Sequence, residues 1–467
     1  MTRYRCEICE MFEYDSDEGA MKMGIPPGTL PEAFPTGWVC PVCDSDNTHL
    51  KPIASCENGA SPAPWNSEQD AEYLHHIQTI QQMAKTGTSV PEPMRTALPV
   101  ISWDDILVLG AQLARQPLNP NEEVSLKTVI GPNAAIPLVV HAPVTVSHMS
   151  FGALGKEVKT ALAKGSAAVK IACSSGEGGI LPEEKAAAYR YIFEYVPNQY
   201  SVTDENLRTS DAIEIKIGQS AKAGLGGLLP ADKVAPDIAA IRNVSPGSDV
   251  ESPARFPGIS GPDDLKNLVS SLRERSGGRP IGIKIAAGDV EGDMAVAIAA
   301  APDFITIDGR PGGTGAAPKI IKDALSVPTI YAINRARQVL DDQTDGEISL
   351  IATGGFRTSA DIVKALAMGA DAVALGTACL MALGCDQFRI CHTGMCPRGI
   401  TTHNPTLCSR FDTDEEAGRL TNFLSALIDE LEHFARLTGH ADIHELSVGD
   451  LCTTNREIAE YTRVPHA

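Results

Sequence analysis

The chain runs to 467 residues, with 59 acidic against 39 Lys and Arg residues and a formal charge of -20. At 43% apolar and 21% charged residues it can bury a large core, and at about 150 residues per domain it holds roughly three domain-sized units. The acidic balance excludes nucleic acid and anionic membrane surfaces as partners, since both need a basic face; no run of eighteen apolar residues occurs, so no membrane span is expected.

The start, Met1-Thr-Arg-Tyr-Arg-Cys6, carries no apolar stretch of a secretory signal. A cytoplasmic location is therefore expected, where thiols stay reduced and 12 cysteines point to metal ligation rather than disulfides. Four of them form two C-x2-C pairs, Cys6/Cys9 and Cys40/Cys43. Each pair places two thiolates on adjacent turns, and two pairs can converge on one tetrahedral ion, zinc or a single iron. The segments Tyr4-Arg-Cys-Glu-Ile-Cys9, Tyr14-Asp15, Gly24-Ile-Pro-Pro-Gly-Thr29 and Gly37-Trp-Val-Cys-Pro-Val-Cys43 resemble rubredoxin over residues 3 to 52. The resemblance implies one iron on four thiolates, a one-electron carrier, with a zinc ribbon as the alternative. Rubredoxins usually place glycine after the second cysteine of each knuckle, where φ is positive; Glu10 and Asp44 stand there instead, at about 1 kcal/mol or more each. Their charge is expected to lower the reduction potential of the iron.

Residues 53 to 99 read as a linker with a short helix. The stretch 53–66 is rich in Gly, Ser and Pro. Asn66 or Ser67 can cap a helix in which Leu74, Ile77, Ile80 and Met83 share one face, which predicts packing onto the main domain. His75 and His76 are assigned no chemistry.

From residue 100 to 467 the pattern is α/β. Short β-branched runs alternate with helix-like stretches at Val144–Val146, Val169–Ala172, Ile213–Ile217, Ile281–Ile285, Phe304–Ile307, Thr329–Ile333, Leu350–Ala352 and Ala372–Leu375. Eight strands between helices predict a (β/α)8 barrel, a TIM barrel, with its chemistry at the carboxyl ends of the strands. Polar and glycine-rich residues follow those runs: Met149-Ser150, Ser174-Ser-Gly-Glu-Gly178, Gln219 with Lys222, Asp308 through Gly312-Gly-Thr-Gly315, Asn334, Thr353-Gly-Gly355 and Gly376-Thr377. Glycines after strands seven and eight are where such barrels hold a phosphate, so a phosphorylated cofactor or substrate is expected. Just past the last strand, Cys385, Cys391 and Cys396 share one loop; they suit a 3Fe-4S cluster, or zinc with His392 as fourth ligand. Beyond them Leu420, Phe423, Leu424, Leu427, Leu431 and Phe434 fall at helical spacing and predict a helix covering the barrel.

Met149-Ser-Phe-Gly-Ala-Leu154, Ser175-Gly-Glu-Gly-Gly179, Ile215 through Gly227, Asp308 with Gly312 to Gly315, and the loop ending Cys396-Pro-Arg-Gly399 together resemble the FMN-binding synthase domain of glutamate synthase, over residues 100 to 460. The resemblance implies that Cys385, Cys391 and Cys396 ligate a 3Fe-4S cluster. It implies that FMN is held by Gly354, Gly355, Gly376 and Thr377 at its phosphate and by Met149, Ser150, Ser175, Lys284, Asp308, Gly313 and Thr314 elsewhere. Glu177, Lys216, Gln219 and Lys222 match positions that line the flavin and 2-oxoglutarate site. Read directly, Lys222, with Arg357, suits a dicarboxylate, and a lysine near flavin N1 stabilises the reduced anion. The plainer reading of Lys216 and Lys284 is a buried lysine paired with Glu214 or Asp308; of Glu177, a loop carboxylate at a helix start.

Three departures matter. Nothing resembles the glutaminase domain of full-length glutamate synthase, so ammonia is expected from solution or a separate subunit, or is not a substrate. The family usually carries an arginine where Gln199 stands, and the segment 249–257 also differs, which leaves the substrate open. No dinucleotide fingerprint is evident, so electrons are expected to enter through the metal sites from an external donor protein or reductase.

The expected function is reduction of 2-iminoglutarate, formed from 2-oxoglutarate and ammonia, to glutamate, with a proton from a pocket acid such as Glu177 or from water. The alternatives are a flavoenzyme acting on another imine, amine or activated C=C bond, and an electron-transfer module serving a partner. A homo-oligomer is left open. Cys56, Cys173, Cys379, Cys408 and Cys452 are isolated, with packing as their default role and Cys173 near enough to the 174–178 loop to reach a flavin.

Overall fold

The structure, a computed structural model, describes residues 3–9, 12–53, 70–229 and 231–467. Glu10, Cys56, the caps Asn66 and Ser67 and nearly all of the tether lie outside the described residues, as do the side chains of Leu74 and His75.

Eight parallel strands close into a barrel: Val144–Val146, Ala172–Ser174, Arg190–Tyr195, Ala212–Lys216, Ile281–Ala286, Phe304–Asp308, Ser349–Thr353 and Ala372–Leu375, the last pairing back onto the first. The strands are nearly continuous apolar runs, as a sheet covered on both faces requires; Ile213, Ile215, Ile281, Ile283, Ile305 and Ile307 are all fully buried. A hairpin, Thr128–Ile130 paired with Leu138–Val140, stoppers the amino-terminal end, where Ile130, Leu138 and Val140 pack on Ala172, Ile192, Ala212, Phe304 and Ala372. The open end is therefore the carboxyl end of the strands.

Two strand assignments from sequence are corrected. Thr329–Ile333 opens a helix, Thr329–Gln343, directly after Pro328; its buried residues Ile330, Ile333, Ala336, Val339 and Leu340 recur every three or four positions. Asn334 consequently sits in that helix, accepting from the Arg463 backbone N–H at 3.0 Å, away from the barrel mouth. The third strand is Arg190–Tyr195, whose Arg-Tyr-Ile-Phe-Glu-Tyr sequence lacks a β-branched run. The second strand also begins later than expected, because Lys170 turns the chain at φ 58°. The two main errors cancel in number, which is why the count of eight holds.

The helix Thr413–Thr438 covers the barrel through Leu420, Leu424, Leu427 and Leu431, all buried. Asp412 caps it by accepting from the N–H groups of Asp414 and Glu415. It crosses the helix Lys156–Ala168 so closely that a Cβ on Gly165 would lie 2.8 Å from Leu420 Cδ2. The linker helix spans Asp70–Thr86. Against the expected packing, Ile77, Ile80 and Met83 are exposed.

The small domain is a three-stranded antiparallel sheet, Arg3–Cys6, Glu13–Asp15 and Leu50–Pro52. Its core stacks Tyr14, Phe34 and Trp38 edge to face, with ring centroids 4.8 and 4.9 Å apart, around four buried cysteines. No described helix is long and apolar enough to cross a membrane.

Candidate active site

Cys6, Cys9, Cys40 and Cys43 converge, with Sγ atoms 3.6 Å apart for Cys6 and Cys43 and 3.8 Å for Cys9 and Cys40. A tetrahedral ion at about 2.3 Å from each sulfur has S···S edges of about 3.8 Å, so the four thiols fit one iron or zinc. Ser45 Oγ lies 3.3 Å from Cys6 and 3.1 Å from Cys43. Burial opposes ionisation of Cys6, but hydrogen bonds from Ser45 and the backbone of Cys9 and Ile8 outweigh it and bring the thiol down to about 7.

The mouth of the barrel is a cavity to which all eight strands contribute. Ser147 to Ser150 follow strand one and Glu177 strand two; Glu194, Lys216 and Lys284 sit near the ends of strands three, four and five. Gln219 and Lys222 stand on the turn after strand four, Asp308 and Gly312 to Gly315 follow strand six, Gly354 to Arg357 strand seven, and Gly376 and Thr377 strand eight. Cys385, Cys391 and Cys396 border the same cavity. Ser175, expected to hold the cofactor, stays outside it: its hydroxyl accepts from the Glu194 N–H at 2.9 Å and donates to Gly176 O at 3.1 Å, pinning strand three to the loop after strand two.

Ion pairing organises the site. Lys216 Nζ lies 2.6 Å from Glu177 Oε2, with side chains 12% and 15% exposed, and Ser252 Oγ donates to the other Glu177 oxygen at 2.5 Å. Burial alone would raise the Glu177 carboxyl, but Lys216, Ser252 and Lys222 bring it down to about 2. Glu177 is thus ionised at neutral pH and is not the proton donor expected from sequence. Burial works against the Lys216 cation as well, yet Glu177, Glu194 and Asp308 hold its pKa above the usual range. The lysines are paired, as the plainer reading has it, but their direct partners are others: Lys216 pairs with Glu177 and Lys284 lies 3.6 Å from Glu194, while Glu214 pairs with His148 and accepts from Thr306. Lys222 has no hydrogen-bond or ion-pair partner among the described residues; burial, then the charge of Lys216, pull its pKa down to about 8.

Sequence reasoning missed Arg242. It ends the helix Pro236–Arg242, is buried in the cavity wall, donates to Phe151 O at 2.7 Å and lies over the Tyr200 ring at 5.4 Å. No local motif marks it. Gln199, at φ 53°, lines a separate surface hollow rather than the mouth. His148, Glu194, Arg95 and Arg389 were missed too.

The two glycines after strand seven are required by close approach. Gly354 has φ 116°, and a Cβ there would lie 2.1 Å from Gly309 O; one on Gly355, φ 92°, would lie 2.7 Å from Pro311 Cδ. Arg95, its pKa lowered by burial and by the charges of Arg357 and Arg389, shares the cavity with these turns. Backbone N–H groups beside a guanidinium cluster suit a phosphate. Among the described residues, Cys385, Cys391, Cys396 and His392 do not gather within 4.8 Å of one another as the four knuckle cysteines do. Burial and the neighbouring thiols push Cys385 up to about 11.

Four converging thiols in the small domain and three more bordering the barrel mouth suit the chemistry of an oxidoreductase. A family model described as the conserved region in glutamate synthase matches residues 75–441, and a rubredoxin model matches residues 3–49. The chain is 35% identical over 408 residues to a glutamate synthase large subunit-like protein of Rhizobium meliloti (strain 1021), covering 83% of this chain and 92% of that one. It is 40% identical over 328 residues to an archaeal glutamate synthase (NADPH) of Methanocaldococcus jannaschii, covering 70% of this chain and 64% of that one. A mutant flavocytochrome b2 with benzoylformate shares the fold, with a TM-score of 0.50 at 17% identity over 75% of this chain and 76% of that one. The chain belongs to the glutamate synthase family and carries a rubredoxin domain at its amino end.

Proposed function

We propose that the chain reduces 2-iminoglutarate, formed from 2-oxoglutarate and ammonia, to glutamate. In this reading FMN lies in the mouth with its phosphate on Gly354, Gly355, Gly376 and Thr377, a 3Fe-4S cluster is held by Cys385, Cys391 and Cys396, and iron is held by the four knuckle cysteines. When bound, the iron sites supply one-electron carriers and FMN a two-electron store that delivers hydride.

The observation that carries the reading is the convergence of Lys222 and Arg242 on a cavity in which Lys216 is already paired with Glu177. A dicarboxylate needs two cationic contacts, and Lys222 and Arg242 can make them, with Arg357 lining the same cavity. Arg242 also supplies the guanidinium whose absence at Gln199 left the substrate open. Gln219 beside them offers an amide to a carbonyl or imine. With Glu177 ionised, Lys222 at about 8 is the mouth group able to hold a proton near neutral pH and pass it on.

The test is anaerobic mixing of the reduced protein with 2-oxoglutarate and ammonium, following the flavin spectrum. Reoxidation that needs both reagents is expected; no reoxidation sinks the reading. Reduction of the flavin in a Cys9→Ser, Cys43→Ser variant at the unaltered rate would remove the four-cysteine site from the electron route.

A further inference from the structure

The small domain meets the barrel at the three-cysteine loop. Phe388, three residues after Cys385, lines the mouth cavity and also packs against the small-domain core that holds Tyr14, Trp38 and the four cysteines. One ring thus belongs to both bodies. Around it, acidic residues of the second knuckle approach basic residues of the loop. Arg398, two residues after Cys396, donates to Asp386 at 2.5 Å; that bond raises its pKa first, and the charge of Asp44 adds to it. Asp46, lowered chiefly by Thr48, also feels Arg410, whose guanidinium reaches Pro397 O at 3.5 Å.

Asp44 is the telling residue. Its φ of 57° is left-handed, where glycine is unstrained and a non-glycine residue costs about 1 kcal/mol. Glycine would relieve the backbone but would offer Arg398 nothing. Strain of this kind persists where the surroundings hold it, and here the surroundings include the basic edge of the other domain. Exposed ion pairs contribute little singly, so the apolar contact of Phe388 has to anchor the interface while the charges set its register.

We propose that the knuckle Cys40 to Asp46 docks on the loop Cys385 to Arg398 through Phe388, with Asp44 facing Arg398 and Asp46 facing Arg410, so that the two thiolate sets are held against one another and electron exchange between them is intramolecular. The electron role rests on the proposed function above; the contact itself does not.

Hydrogen exchange by mass spectrometry on the full chain reads the contact directly. Phe388→Ala and Arg398→Ala are read at residues 37–46, and Asp44→Asn, which tolerates the left-handed backbone, is read at residues 384–400. Each variant is thereby judged on the domain it does not alter, and unchanged exchange in the barrel strand 281–286 shows that the fold is intact. The expected result is exchange about tenfold faster on the unaltered side for Phe388→Ala and a few-fold faster for the two charge variants, with a similar few-fold loosening in the unmodified protein at high salt. Unmodified protection on the unaltered side in all three variants overturns the proposal. Lost protection together with flavin reduction that does not depend on Cys9 and Cys43 leaves the docking standing and removes its electron role.

Discussion

Lys216 and Glu177 grip each other across the barrel mouth at 2.6 Å, one from the end of strand four, the other from the loop after strand two. Because both side chains are largely buried, the pair costs much to break from one side. Glu177→Gln is expected to destabilise the fold by about 3 kcal/mol, and the double variant with Lys216→Met by clearly less than the sum of the singles. Denaturant titration of the three variants measures this.

The same carboxylate makes stability depend on pH. Its folded pKa of about 2 lies below the ordinary 4.5. Unfolding therefore takes up a proton between those values, and the stabilisation, complete above about 4.5, is lost as pH falls toward about 2. Glu177→Gln should flatten the acid limb over that window; an unchanged acid limb would show that the pair does not hold in solution.

Lys222 predicts an alkaline limb in activity. Its pKa of about 8 leaves it cationic below that pH and neutral above, so KM for 2-oxoglutarate should climb as pH rises through about 8, and Lys222→Arg should move the climb out of range. Lys222→Met should raise KM by roughly tenfold to a hundredfold, the worth of one hydrogen bond to a charged group.

Two glycines should behave oppositely when given a methyl group. Gly354→Ala places a Cβ 2.1 Å from Gly309 O in a backbone at φ 116°, and should lower stability by about 1–3 kcal/mol and, on the proposed function, empty the protein of flavin. Gly418→Ala, inside the helix Thr413–Thr438 with nothing within 4 Å, should raise stability by about 1 kcal/mol. Flavin content and thermal melts report both.

Loss of the four-thiolate ion should act on one core only. Tyr14, Phe34, Trp38 and the knuckle cysteines form a cluster distinct from the barrel core, and metal-binding energy in so small a domain is folding energy. Cys9→Ser with Cys43→Ser should abolish the visible thiolate-to-iron band and melt the small domain early, leaving the barrel transition in place by calorimetry.

The sequence made Lys216, Gln219, Lys222 and the glycine turns legible because each directly follows a strand that reads as one, so local order mirrors position in space. Arg242 was hidden because it reaches the mouth from the end of a helix twenty residues beyond Lys222, and no spacing rule links a helix end to a cavity. Strand three was hidden because its residues are aromatic and charged, Glu194 turning inward to meet Lys284. The protonation of Glu177 could not be read at all, since it is decided by Lys216 and Ser252, partners 39 and 75 residues away.

The hairpin beneath the barrel turns what would be a tube into a cup. Whatever enters the cup comes over the rim on which the three-cysteine loop and the small domain also rest, so molecular traffic and, on the proposed function, electron supply share a threshold. Crowding that rim should slow both at once, whereas changes at the stoppered end should be felt as stability alone.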